Sequence, residues 1–493
     1  MIDKIILEII DFFQYRVFFY ATLIVLGCAL LAIMSYINIR KYKRKFTRKE
    51  DEMMRKSPFI PGISVIAPAY NEEKTIIANV NSMLTLDYPL FEVVIVNDGS
   101  VDKTLDLLID EFELVETPFA YLEKIKTQPF RRILKSTNPR YEKLTVVDKE
   151  NGGTKADATN AGINASIFPY FLCTDVDCIL SRDALTKMIQ PILDSNVPVI
   201  AVGATMRMAN SCEVNENGVI TRVRPPKGLI PCFQEIEYLR SYLVSKNGWS
   251  LMNAVPNVSG GLGLFDKSVV IEAGGYDPLS HAEDMDMVLR MVAYMRDYRK
   301  KYKVLYIPVT TCWTEGPPNL SVLNKQRTRW ARGLMQMFFV HRKFILNPKY
   351  GRTGIIMMPY IFLFEFLAPV IEGLGLLMLI YLLATNRINF NTVFVLMGYI
   401  YLVGVTISTF AVAMDLYVAK LYERFREYLK LVFLSFFEII LYHPFSIFFS
   451  WKGYVDFLSK QKFEWGAMTR QGFDQRKEYT VPVNKKVLRE NVT

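Results

Sequence analysis

From Val17 to Ile39 the sequence VFFYATLIVLGCALLAIMSYINI carries no charge, and no other stretch narrows the fold as much. At about 1.5 Å per residue its helix outruns the roughly 30 Å of a bilayer core. A cleaved signal peptide would have an apolar core of only about 7–15 residues and a small-residue cleavage site, so 17–39 reads as a transmembrane helix. RKYKRKFTRK follows at once. The bias of basic loops toward the cytoplasm places this cluster, and the domain after it, on the cytoplasmic side, with residues 1–16 outside. Later apolar stretches at 355–384, 392–418 and 429–451 extend the membrane region. His443 and Pro444 interrupt the last, which suits a re-entrant or interfacial pair. Glu365 and Glu372, seven apart, share a helix face, and acids at that depth usually face a bundle interior or an aqueous path.

The remaining length of this 493-residue chain is enough for one soluble domain of common size. Its formal charge of +10 gathers at the membrane flanks and at one proposed phosphate site, which argues against a nucleic-acid partner. The six cysteines are scattered without a C-x-x-C pair, and there are three histidines. Neither a zinc cluster nor a disulfide framework is supported, and the soluble part suits a reducing compartment.

Between 62 and 333 short β-branched runs alternate with helical patterns: 62–67 (GISVIA), 91–97 (FEVVIVN), 144–148 (LTVVD), 170–174 (YFLCT) and 199–202. Strand, loop and helix in repetition predict an α/β domain with a mostly parallel sheet. Ligands of such sheets sit beyond the carboxyl ends of the strands. Those ends carry PAYNEE, NDGSVDKT, KENGGTKADATN and DVD. Each alone suits a turn or a helix cap, as Asp98-Gly99 and Asp102 would.

The carboxylates have a shared use. Asp175 and Asp177 in TDVDC reach one ion only if the chain turns there, because strand residues otherwise alternate faces. A divalent cation, Mg²⁺ or Mn²⁺, bridging them to a diphosphate meets that need. HAEDMDM supplies Glu283, Asp284 and Asp286 at a helix start, where acids also complement the helix dipole. Neighbouring acids raise one another's pKa, which suits a general base that takes a proton from a sugar hydroxyl; Asp284 is preferred over Glu283, and His281 is taken as incidental. NVSGGLGLF between them offers Gly260 and Gly261 to a closely approaching acceptor. In NKQRTRWARG, Gln326, Arg329 and Trp330 fall on one helix face, while Lys325, Arg327 and Arg332 suit a basic anchor near lipid headgroups.

YNEE, NDGS, GGTKADATN, DVD, SGGLGLF, EDMD and QRTRW, in this order and flanked by membrane helices, resemble the processive membrane-integrated family 2 glycosyltransferases, among them poly-N-acetylglucosamine, hyaluronan, chitin and cellulose synthases. The resemblance covers roughly 63–333. It implies a GT-A (Rossmann-like) cytoplasmic domain joined to an α-helical transmembrane region in the cell membrane. It also implies a UDP-sugar donor and inverting transfer onto a growing β-linked polysaccharide that is threaded outward. Carried over by motif, Asp98, with Ala67, Tyr70 and Glu72, lies beside the nucleotide. Lys155 meets nucleotide or diphosphate. Asp175 and Asp177 hold the metal, and Asp284 is the base. Gln326 and Arg329 face the diphosphate, and Trp330 stacks on the acceptor sugar. An indole face and a planar guanidinium fork suit those tasks.

AED replaces the TED of many cellulose synthases, and one clear helix precedes the domain where several relatives have two. EYLRSYLVSKNGWS and FEWGAMTRQGF look closest to bacterial poly-N-acetylglucosamine-type enzymes. The expected layout is 1–16, helix 17–39, basic linker 40–61, catalytic domain 62–333, interfacial segment 334–354, membrane helices 355–451 and basic tail 452–493. Membrane lipids, and an accessory export or activating subunit, are the further partners implied. The rival reading is a non-processive transferase acting on a lipid or glycolipid acceptor, which the Q-x-x-R-W motif disfavours.

Overall fold

The computed structural model describes residues 2–45, 57, 59–119, 121–215 and 218–460. FEWGAMTRQGF, the rest of the basic tail from 461, and linker residues 46–56 and 58 lie outside the described residues. Helix α1 (Ile2–Lys45) contains the first apolar span and ends on Lys43, Arg44 and Lys45, cations that complement the negative end of a helix dipole.

The region from 62 is built on β1 (Ile63–Ala69), β2 (Phe91–Asp98), β3 (Leu114–Glu116), β4 (Phe130–Ser136), β5 (Leu144–Lys149), β6 (Tyr170–Thr174), β7 (Ile179–Leu180) and β8 (Val199–Met208). A hairpin of β9 (Glu213–Val214) and β10 (Ile220–Arg222) precedes β11 (Leu262–Asp266) and β12 (Lys303–Thr314). Among the described residues, ten of these form one sheet in the order β3-β4-β5-β2-β1-β6-β11-β8-β12-β7. Its middle, β5-β2-β1-β6, is parallel. Every residue of β2 and β5 is buried, as apolar runs covered on both faces require.

Two features depart from the strand pattern read in the sequence. GLGLF is a strand, β11, antiparallel between β6 and β8. At one edge β4 also pairs antiparallel onto β5, and β3 antiparallel onto β4. The central strands all the same end together, which sets the loops after β1, β2, β5 and β6 side by side.

Helices α2 (Lys155–Ala165), α3 (Leu229–Leu239), α4 (Glu283–Asp297) and α5 (Leu320–Val340) belong to this region, and α6 (Ala368–Ala384) follows the linker. Next come α7 (Phe390–Val418), α8 (Phe425–Leu441) and α9 (His443–Leu458). Segments 16–45, 353–384 and 390–418 are long and apolar enough to cross a membrane. The pair α8 and α9 bends by 49° at its break, giving up to four such spans if each bent pair is one. Helix α5 runs through position 333, where the sequence reading ended the domain. Gly333 does not stop the helix; it lets it pass close to the loop before α4, for a Cβ there would lie 2.9 Å from Ala282 Cβ. Glu365 sits in a π-helical turn, 362–366, outside α6, so its simple seven-residue register with Glu372 is broken.

A buried ionic cluster joins the sheet to the apolar helix α7. Arg207 of β8 donates from Nε to Glu235 Oε1 (2.7 Å) and from Nη1 to both Asp415 oxygens (3.0 and 2.9 Å). Glu235 also accepts the Met208 N–H (2.8 Å) and the Tyr422 hydroxyl (2.9 Å). All three charged side chains are buried. Ions held away from water are tolerable only when paired and hydrogen-bonded in this way. Arg207→Met leaves two carboxylates facing one another and is expected to cost about 3–5 kcal/mol of stability. Thermal unfolding of the detergent-solubilised chain measures this, and an unchanged midpoint would contradict it.

Candidate active site

The loops at the strand ends brace one another. The Asn71 N–H donates to Ser100 Oγ (3.0 Å), Glu72 N–H to Thr104 Oγ1 (2.8 Å) and Glu73 N–H to Asp102 Oδ2 (3.2 Å). Tyr70 projects at the end of β1 with its ring exposed, whereas the Ala67 methyl is wholly buried within that strand. Asp98 ends β2 and accepts from Lys149 Nζ (2.6 Å) and from the Gly152 N–H (3.0 Å). Lys149 lies between Asp98 and Asp157, 2.6 Å from each, with its side chain fully buried. Neither Lys149 nor Asp157 stood out in the sequence.

Lys155 begins α2, where the Thr154 side chain caps the helix. Its ammonium pairs with Asp175 Oδ1 and donates to the Gly260 carbonyl (2.6 Å). Burial opposes this charge, but Asp175 beside it holds the ammonium well above the ordinary lysine value. Asp175, Asp177 and Cys178 bring ligand atoms within 4.8 Å of one another. The neighbouring Cys312 thiol and burial push Cys178 well above the usual thiol range, so the donors for a cation are the carboxylate oxygens. Such a set fits a hard ion, and Lys155 stands beside it on Asp175.

Glu283 and Asp284 open α4. Asn257 Nδ2 donates to Asp284 Oδ2 (2.8 Å), and the Met285 N–H to Oδ1 (2.8 Å). Burial, then the charge of Asp284, raises Glu283 above the usual carboxylate value against the pull of Lys155 and Arg329. Asp286 turns away to His341 Nε2 (2.7 Å) and Arg290 (2.7 Å), a tether between α4 and the end of α5. The two glycines leave the space open. A Cβ on Gly260 would lie 3.2 Å from Glu283 Oε1 and 3.7 Å from Lys155 Nζ, and one on Gly261 3.1 Å from Asp175 Oδ2.

Helix α5 carries the last motif. Arg329 lies close enough to Glu283 for its charge to act there. Trp330 is 37% exposed. Gln326 points inward and accepts from Gln234 Nε2 (3.0 Å). Arg327 is not the headgroup anchor that its sequence neighbours suggested. It is 8% exposed, pairs with Glu237 through both Nη atoms, donates to the Tyr442 hydroxyl (2.8 Å) and stacks 4.6 Å from the Trp330 ring centre. One further residue that the sequence did not mark holds α5 to the base loop. Gln336 accepts the His281 N–H (2.8 Å) and donates to the Leu279 carbonyl (2.9 Å).

Residues 64–122 match the family described as Glycosyl transferase family 2, and residues 123–333 match Glycosyltransferase like family 2. The chain belongs to glycosyltransferase family 2. The transferase is 29% identical over 317 residues to a poly-beta-1,6-N-acetyl-D-glucosamine synthase of Staphylococcus aureus (strain COL), covering 62% of this chain and 64% of the relative. It is 28% identical over 311 residues to the synthase of that name in Staphylococcus epidermidis (strain ATCC 35984), covering 63% and 62%. The chain thus matches less than two thirds of the length of these relatives. A solved mannosyltransferase of Pyrobaculum calidifontis, in complex with GDP-Man and Mn2+, superposes with a TM-score of 0.45 at 18% identity over 90% of this chain and 100% of that one.

The raised carboxyl of Glu283 has a consequence for the transferase. Its protonated form is the one favoured by the fold, so that contribution is complete below the ordinary value of 4.5 and is lost as pH rises through the higher folded value. Glu283→Gln keeps the neutral shape and is expected to gain stability over the parent at mildly alkaline pH but not in acid. Unfolding midpoints across pH test it, and a difference independent of pH would contradict it.

Proposed function

We propose that the chain polymerises a UDP-activated hexose, UDP-GlcNAc first among the candidates, into a β-linked polysaccharide and passes it across the membrane through its apolar helices. The observation that carries this reading is the convergence at Gly260, where a Cβ would stand between Glu283 Oε1 (3.2 Å), Lys155 Nζ (3.7 Å) and Asp284 Cβ (3.8 Å). A sugar there has cationic groups toward its diphosphate and carboxylates toward an incoming hydroxyl.

Asp284, oriented by Asn257, takes the proton of the acceptor hydroxyl as its oxygen bonds to the anomeric carbon from the face opposite the diphosphate. The bond from that carbon to the diphosphate breaks, and Lys155 and Arg329 meet the charge that develops. Asp177 and Asp175 would hold a divalent cation, which would supply positive charge for the diphosphate. Asp98, Tyr70 and Glu72, with the backbone at Ala67, cradle the nucleoside end. Trp330 offers its exposed face to the terminal acceptor sugar, and Gln326 supports α5 from within. The order of spans and motifs favours a catalytic domain on the cytoplasmic side of the cell membrane.

Incubating the purified chain with UDP-GlcNAc, UDP-Glc and UDP-GlcA, then digesting with linkage-specific hydrolases, identifies donor and linkage. Long chains from UDP-GlcNAc are expected, and single-sugar products alone would overturn polymerisation. Asp284→Asn should lower turnover by about 10²–10⁴-fold. In a separate assay Trp330→Ala should stop elongation while sparing the fold; full-length product from that variant would remove Trp330 from the acceptor site.

A further inference from the structure

Lys246 belongs to the π-helical turn 240–246 that follows α3, and its residue is only 7% exposed. Helices widened in this way often mark functional sites. Its Nζ stands 4.6 Å from the ring centre of Tyr242 and 5.6 Å from that of Tyr306, two rings stacked at 6.0 Å. Among the described residues no side chain or carbonyl takes a hydrogen bond from it. Ring faces answer a positive charge but leave the three N–H donors of an ammonium without oxygen partners.

The turn also sits where the catalytic domain meets the apolar helices. A Cβ on Gly248 would lie 2.7 Å from the Leu31 carbonyl of α1, Asn38 of α1 donates to Asn247 (2.9 Å), and Trp249 meets the Tyr360 ring edge-on at 5.1 Å. The ammonium is within electrostatic reach of Asp284 at the reaction centre and of Glu365 on the membrane side. Burial lowers it to about 8 despite both carboxylates, as for a cation still lacking close partners.

We propose that Lys246 is an acceptor subsite, donating hydrogen bonds to oxygens of neutral sugar residues already joined to the product as they leave Asp284 for the membrane helices. This rests on the polymerising reading above. Asp284 and Glu365 already answer the charge at longer range, so a phosphate or uronate gains little there. Hydroxyl, ring and acetamido oxygens satisfy the donors without adding charge. The acceptor class is therefore an uncharged hexose or N-acetylhexosamine chain.

The test uses the full chain in detergent with UDP-GlcNAc, reading nucleotide release and product length together. Lys246→Met is expected to keep nucleotide release within about twofold while mean product length falls roughly tenfold, as for the loss of a charged hydrogen bond. Lys246→Arg, which keeps the charge, should fall between. Wild-type product length in Lys246→Met overturns the subsite and leaves the polymerising reading standing. Single-sugar products from the unaltered chain overturn that reading first. Lys246→Gln serves as the folding control: loss of nucleotide release in both the Met and Gln variants also overturns the subsite, because a residue that holds product is not needed to cleave donor.

Discussion

Arg207 leaves the sheet with its side chain wholly buried, and there Glu235 and Asp415 answer its charge. One partner belongs to the catalytic domain and the other to α7. An ion pair of this kind is weak evidence for net stability, since dehydrating the charges offsets much of their attraction. Its effect on geometry is firmer. A guanidinium fork accepts few arrangements of two carboxylates, so the sheet meets α7 in one orientation. Arg240 with Glu438 of α8 repeats the device, while Arg327 with Glu237 ties α5 to α3.

Helix α5 is the part that the catalytic and membrane regions share. One side approaches the loop before α4 through Gly333 and Gln336, and His341 beyond its end holds Asp286. Its other side receives α9, where a Cβ on Gly453 would lie 2.5 Å from the Thr328 carbonyl and 2.8 Å from Ala331 Cβ. Trp330 and Arg329 thus stand on an element clamped from both sides. The side chains assigned to donor and acceptor keep their spacing because the helix cannot shift without breaking those contacts.

Much of the site was legible in the sequence because the chemistry requires particular side chains at strand ends, and strand ends show as β-branched runs followed by turns. Asp98, Asp175 and Asp177 were singled out in that way, Glu283 and Asp284 from a helix start, and Lys155 from a resemblance. Asn257, Gln336 and Lys246 were not, since one polar residue in a helix or loop reads the same whether it meets solvent or a carboxylate. Arg327 shows the difficulty most clearly. Beside a membrane, a cation among cations reads as an anchor, and only its Glu237 partner, ninety residues away in sequence, turns it into an internal strut.

By itself the sequence determined the apolar spans, the alternation of strand and helix, and the inventory of acids, amines and glycines at the strand ends. These follow from length, periodicity and residue type, which act locally. Tertiary structure alone decided which charges pair, that GLGLF becomes a strand reversed between β6 and β8, and that Glu283 rather than Asp286 stands with Asp284 near Gly260. Those outcomes depend on bringing distant segments within a few ångströms, where burial strips water from each charge and leaves its neighbours to set its state.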